Sequence, residues 1–181
     1  EEAQEELELL IKKSIKRRLI SDVPLGTYLS SGIDSSLIAA IATKYSSNKL
    51  MTFNIGFKGY KNDESADAMK ISKHLNTQHY FKNYKPNDLI RFLPIFFENY
   101  DEPFADHSAF PCLAVSKLAQ KKVKVILSGE GGDELFGGYH YYKIMKIFEL
   151  IKSFKGTSLR KVLKSFDFLS NHNMSLFTKA L

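Results

Sequence analysis

The segment Leu29-Ser30-Ser31-Gly32-Ile33-Asp34-Ser35-Ser36 constrains this chain more than any other. An apolar run, Gly26-Thr27-Tyr28-Leu29, leads into it, and Leu37-Ile38-Ala39-Ala40-Ile41-Ala42 leads out. That order reads as a strand, a tight turn of small residues and a helix N-terminus. Such a turn points several backbone N–H groups and hydroxyls at one spot, where the helix dipole adds partial positive charge. The segment therefore predicts an anion cradle, and phosphate is the usual occupant. No lysine follows the glycine, so this is not the phosphate loop whose Gly-Lys-Ser/Thr ending supplies a cation and a magnesium ligand.

The rest of the chain alternates in the same way. Helical spacing places Leu7, Leu10, Ile11, Ile15 and Leu19 on one face of a helix over residues 3–20. Strands are predicted at 25–30, 50–57, 78–81 and 123–127, the last from its β-branched run. Helices are predicted at 35–46, 64–76, from Asn87 to about Tyr100 with a break at Pro94, and at 109–121. Two basic amphipathic segments, 143–154 and 158–169, close the chain. Strands alternating with helices imply an α/β fold, a parallel sheet with helices on both faces. Ligands of such sheets bind outside the carboxyl ends of the strands.

Composition narrows the class. At 181 residues with 44% hydrophobic and 25% charged side chains, the chain supports a sizeable core and is not disordered. No apolar run reaches the ~20 residues of a membrane helix. The start, Glu1-Glu2-Ala3-Gln4, is no signal peptide, and its lack of Met suggests an excised piece. A single cysteine, Cys112, excludes an internal disulfide and fits a cytoplasmic protein. It is expected to be a packing residue, since no His–carboxylate set accompanies it. The net charge of +6 reads as solvated helix faces and attraction for a polyanionic nucleotide, with neither nucleic acid nor membrane as partner. Five scattered histidines show no zinc-ligand spacing.

A second turn, Ser128-Gly129-Glu130-Gly131-Gly132-Asp133-Glu134, follows the last strand. Both turns lie at strand carboxyl ends and are expected to converge on one crevice. Carboxylates beside a phosphate turn make electrostatic sense when a divalent cation sits between them. Asp34 and Asp133 are the expected magnesium ligands.

At this point the residues carry a resemblance. Ser-Ser-Gly-Ile-Asp-Ser at 30–35 resembles the Ser-Gly-Gly-x-Asp-Ser signature of the PP-loop ATP pyrophosphatases. Ser21-Asp22-Val23-Pro24-Leu25-Gly26, Asp63-Glu64, Asp101-Glu102-Pro103-Phe104-Ala105-Asp106 and Leu127 to Tyr139 resemble the asparagine synthetase (glutamine-hydrolysing) branch of that superfamily. The similarity covers roughly residues 5–142. It implies an ATP-binding synthetase domain over 1–142, led by a helix at 1–20, with 143–181 a helical extension. The implied activity is ATP-dependent ligation. An acceptor carboxylate, aspartate in the parent enzymes, attacks the α-phosphorus and releases pyrophosphate, and ammonia then displaces AMP to leave an amide. ATP and Mg2+ are the implied cofactors.

The resemblance also implies roles for residues. Ser30, Gly32, Asp34, Ser35 and Ser36 would cradle pyrophosphate. Leu29 and Ile55 would flank the adenine or ribose, and Ser128 and Gly129 would contact the nucleotide. Glu130 would stand near the reacting acyl group as a polar or general-base residue. Ammonia would come from glutamine through an N-terminal glutaminase domain that this chain lacks, and homodimerisation stays open. The family's synthetase domain runs on to a lysine-bearing segment with no counterpart after Tyr142, which implies an incomplete site. Position 31 departs from the signature, being Ser where Gly is usual. A Cβ there is costly if the backbone needs positive φ or must admit phosphate closely. Alternatives are a nucleotide-binding module without turnover, or an amidotransferase for another carboxylate.

Overall fold

Four runs of apolar and β-branched residues form one parallel sheet in the computed structural model, which describes residues 1–57, 59–60, 63–102, 106 and 108–153. They are β1 (Leu25–Tyr28), β2 (Met51–Phe57), β3 (Gln78–Tyr84) and β4 (Val125–Leu127), in the order β3-β2-β1-β4. Every pairing is parallel. The chain therefore winds outward from β1 to β3 and then returns to the other side of β1. That reversal creates a topological switch between β1 and β4, the position where open parallel sheets bind ligands.

The period-2 alternation of the strands sorts side chains to two faces. On one face Leu25 and Leu127 pack with Ile15, Ile41, Ala42 and Leu50, and Leu29 packs with Ala39 and Ala68. These contacts bring α1 (Glu2–Arg18), α2 (Ile33–Tyr45) and α3 (Ser65–His74) onto that face. On the other face Phe53 packs with Ala119 and Val123, and Tyr84 with Phe92 and Ala114. There α5 (Leu93–Asn99) and α6 (Ala109–Ala119) provide the cover, with the short α4 (Pro86–Ile90) preceding them. Helices on both faces are thus observed. The ring of Phe53 lies so close over Gly26 that a Cβ there would sit 2.7 Å from Phe53 Cε2. Phe53 also stacks on Tyr80, with centroids 5.2 Å apart.

The elements differ from expectation in specific places. β3 runs to Tyr84, beyond the expected 81, because all seven of its residues pair with β2 even though Lys82 and Asn83 are polar and exposed. The helix expected around Pro94 is two helices, and Pro94 lies in the first turn of the second, where its missing N–H breaks no helical bond. β4 starts two residues late, since the Val123 N–H is engaged by the Ala119 carbonyl at the end of α6. β1 ends at Tyr28, although the Leu29 N–H still donates to the Phe53 carbonyl at 3.0 Å.

A buried hydroxyl chain ties α3 to the sheet. Ser72 Oγ lies 2.9 Å from Thr77 Oγ1, which lies 2.8 Å from Thr52 Oγ1, and Thr52 Oγ1 lies 2.9 Å from His79 Nδ1. His79 Nε2 is buried with no partner among the described residues.

The chain divides into two compact units, Glu1–Glu130 and Gly131–Leu181. The second contains α7 (Gly132–Phe136) and α8 (His140–Ser153), the latter starting three residues before the expected 143. The segment expected at 158–169, His107 and His172, and residues 103–105 of the Asp101–Asp106 motif lie outside the described residues. No helix among the described residues is long and apolar enough to cross a membrane.

Candidate functional site

The chain leaves β1 under tight control. The Asn54 side-chain amide on β2 donates to the Leu29 carbonyl at 2.7 Å, one residue before the turn. The Ser30 N–H donates to Ser35 Oγ at 3.1 Å, and the Gly32 N–H donates to Ser30 Oγ at 3.1 Å. The two hydroxyl oxygens are 2.8 Å apart, and Ser35 Oγ donates to the Gly32 carbonyl at 3.2 Å. One proton order satisfies all four bonds: Ser30 donates to Ser35, and Ser35 donates to Gly32. Both hydroxyls are therefore engaged in holding the turn against the first turn of α2.

The backbone is what this arrangement presents. α2 follows its N-cap Gly32 with no side-chain cap, so its first-turn N–H groups lack intrahelical acceptors. The Ser31 N–H donates at 3.1 Å to Glu64 Oε2, a carboxylate from the residue preceding α3. Ser31 does not have positive φ. Among the described residues Asn76 alone, with φ 53, is a non-glycine in that region. The Ser31 Cβ thus carries no left-handed strain. Gly32 too has φ −67, so its role is spatial, since a Cβ there would lie 3.1 Å from Ser30 Oγ.

The turn after β4 meets this structure within the first unit. A Cβ added at Gly129 would sit 2.8 Å from Asp34 Cβ and 3.0 Å from the Ser35 amide nitrogen. Backbone thus packs directly on the N-terminus of α2, and only glycine allows that approach. Asp34, Ser35, Ser36, Ser128 and Gly129 are half-exposed, while Glu130 is exposed. Asp34 has no side-chain hydrogen bond or ion pair among the described residues.

In the second unit, Asp133 lies in the first turn of α7. Its carboxylate folds over Gly138, where a Cβ would clash with Oδ1, and the Gly138 N–H donates to the Asp133 carbonyl at 3.0 Å. Gly131 and Gly137, with φ 88 and 68, bound this short helix. Tyr139 Oη donates to Glu134 Oε1 at 2.6 Å. That bond lowers the Glu134 carboxyl and pushes the Tyr139 hydroxyl up to about 12. Among the described residues no three His, Cys, Asp or Glu side chains gather as a metal cluster.

The remaining expected residues are placed as follows. The Leu29 side chain is 1% exposed in the core, so only its backbone is left to face a ligand. β2 continues two residues past Ile55, whose side chain packs beside Tyr84, Phe92 and Ala114. Cys112 corrects an expectation: it is exposed on α6 and not a core packing residue. Partial shelter of its thiol, then the Glu130 and Asp106 carboxylates, push its pKa up and oppose thiolate formation. Two residues of this region had no assigned role in the sequence reading, Asn54 and Glu64. Asn54 carried a signal, being a polar residue inside an apolar strand. Glu64 stood in the Asp63-Glu64 motif, but nothing local pointed to its partner, because the contact spans 33 positions of the chain.

The asparagine synthase family model matches residues 6–177. The chain belongs to the asparagine synthase family. It is 43% identical over 136 residues to a putative glutamine-hydrolysing asparagine synthetase 2 of Methanocaldococcus jannaschii, covering 75% of this chain and 26% of that protein. It is 39% identical over 156 residues to glutamine-hydrolysing asparagine synthetase 1 of Bacillus subtilis, covering 84% of this chain and 24% of that protein. The chain thus spans about a quarter of the length of these relatives. Among solved structures it resembles an NH3-dependent NAD synthetase from Campylobacter jejuni, with TM-score 0.50 and 16% identity, over 75% of this chain and 60% of that one. The likeness shows that the two chains share a fold.

Proposed function

We propose that this chain is the ATP-binding part of an asparagine synthetase, a ligase that adenylates an acceptor carboxylate and passes the acyl group to ammonia. The observation that carries this reading is the packing of Gly129 on Asp34 and Ser35, which joins the turns after β1 and β4 at the switch point of the sheet. The domain is assigned to residues 1–142, and 143–181 to an extension belonging to the remainder of the synthetase domain.

In this reading the backbone N–H groups at the start of α2, with Ser30, Gly32, Asp34, Ser35 and Ser36, hold the β- and γ-phosphates. Backbone of Leu29 and Ile55 flanks the adenine or ribose, and Ser128 and Gly129 contact the nucleotide. An aspartate carboxylate oxygen attacks the α-phosphorus, the bond to the β-phosphate oxygen breaks, and pyrophosphate leaves. Ammonia attacks the acyl carbon, loses a proton with Glu130 as the base, and expels AMP. In-line transfer of this kind depends on positioning and charge stabilisation rather than on a covalent enzyme intermediate.

Magnesium fits the donor set, because the Asp34 carboxylate is half-exposed, unpaired among the described residues and placed on the phosphate turn. Asp34 is the proposed ligand, and Asp133, expected from the sequence as the second, lies in the other unit. Mg2+ takes one or two carboxylates plus phosphates and water, and supplies charge neutralisation on the phosphate oxygens. A glutaminase domain is the proposed source of ammonia.

The test is acceptor-dependent exchange of labelled pyrophosphate into ATP by the full-length protein. Exchange with aspartate is expected. Exchange with another carboxylate but not aspartate would refute the acceptor and keep the chemistry. ATP binding without exchange for any carboxylate would refute the ligase reading.

A further inference from the structure

The phosphate turn already holds an anion. The Ser31 N–H, one of the donors of the cradle, is taken by the Glu64 carboxylate at 3.1 Å, and both residues are exposed. The contact is prepared by its surroundings. β2 passes through Gly56, where a Cβ would fall 3.0 Å from both Asp63 Oδ1 and the Phe81 ring. The bare glycine lets Asp63 settle there and accept from the Ser65 N–H at 3.0 Å, which starts α3. Glu64, the residue between them, then projects its carboxylate onto the turn after β1. Nothing in the packing of the core requires that contact, since Glu64 is exposed and joins no buried cluster among the described residues.

A carboxylate oxygen on a cradle N–H mimics a phosphate oxygen in charge and acceptor geometry. We propose that Glu64 is the resident occupant of the phosphate cradle, holding the Ser31 amide in place while the site is empty and yielding it when a polyphosphate arrives. This rests on the nucleotide reading above. The entering anion competes with Glu64 for the amide and is repelled by its charge. Glu64 therefore lowers the affinity for bare polyphosphate and keeps the cradle ordered between turnovers. An exposed hydrogen bond is weak enough to exchange in this way.

Inorganic pyrophosphate, without divalent cation, is the probe. It is titrated calorimetrically and by amide NMR into the protein and into Glu64→Gln and Glu64→Ala. Three results are expected. In the free protein, Glu64→Ala moves the Ser31 amide resonance. Pyrophosphate perturbs the Ser30–Ser36 amides in all three proteins. Both variants bind pyrophosphate about tenfold more tightly, the gain from removing one like charge near a surface site. Perturbation of those amides with equal affinity in all three proteins overturns the proposal alone. So does a Ser31 resonance that Glu64→Ala leaves in place. No perturbation at Ser30–Ser36 in any protein overturns the nucleotide reading, and this proposal with it. The charge-neutral Glu64→Gln separates repulsion from loss of the side chain: tight binding by Glu64→Ala but not Glu64→Gln would also refute the competition.

Discussion

Ser31 stands in the place of a signature glycine with a φ outside the left-handed region. Glycine at that place in related turns suggests a backbone need, yet this chain meets the turn with ordinary φ at Ser31 and reserves the spatial requirement for Gly32 and Gly129. Ser31→Gly is accordingly expected to destabilise the protein by about 0.5–1 kcal/mol through added freedom of the unfolded chain. Urea unfolding checks this, and a gain in stability would show that the serine is strained. Gly129→Ala should behave differently. Its new Cβ meets Asp34 Cβ at 2.8 Å, against backbone that has no soft alternative, and overpacking of this kind costs about 1–3 kcal/mol. The same change should weaken ATP binding measured by calorimetry, because it pushes on the first turn of α2. The signature serines also changed meaning, since the Ser30 and Ser35 hydroxyls hold the loop closed against the start of α2.

At the scale of elements, β2 and β3 are joined by more than ladder bonds. The hydroxyl chain Ser72–Thr77–Thr52 ends on His79, whose ring is held neutral by burial, with its pKa pushed below the usual 6.5. A histidine with a depressed folded pKa takes up its proton more readily in the unfolded chain. Stability from this site is therefore intact above about pH 6.5 and falls as pH drops below it. Chemical denaturation at pH 7.5 and 5.5 should show the loss, and His79→Gln should reduce the difference between the two. Periodicity disclosed α1, whose apolar residues follow the helical repeat, and a tight turn followed by a run of good helix formers disclosed α2. It could not disclose the full length of β3, since Lys82 and Asn83 break the alternation and only pairing with all of β2 keeps them in the strand. Pro94 was legible as a break but not as the opening of α5, because either outcome satisfies a missing N–H.

The whole molecule is a family member whose proposed nucleotide site depends on strands distant in sequence. Ligand binding to the folded state alone raises stability by about 2.7 kcal/mol at one hundred times Kd. Mg-ATP should raise the unfolding midpoint of the protein accordingly, and Asp34→Ala should remove most of that rise without lowering the midpoint of the free protein. A rise that survives Asp34→Ala would remove this carboxylate from the site. Much of the outcome was legible in the order of residues. The strand–turn–helix at 25–45, the second glycine turn and the α/β class follow from local spacing, because turn chemistry and apolar period act over a few neighbours, and the family follows from the resemblance its motifs carry. Contacts that close over long distances were not. The placement of β4 beside β1 is one, the seating of Gly129 on α2 is another, and the reach of Glu64 to Ser31 across 33 positions is the third. Each is set by the winding of the sheet and by packing between elements, forces that residue order encodes only through the fold it produces.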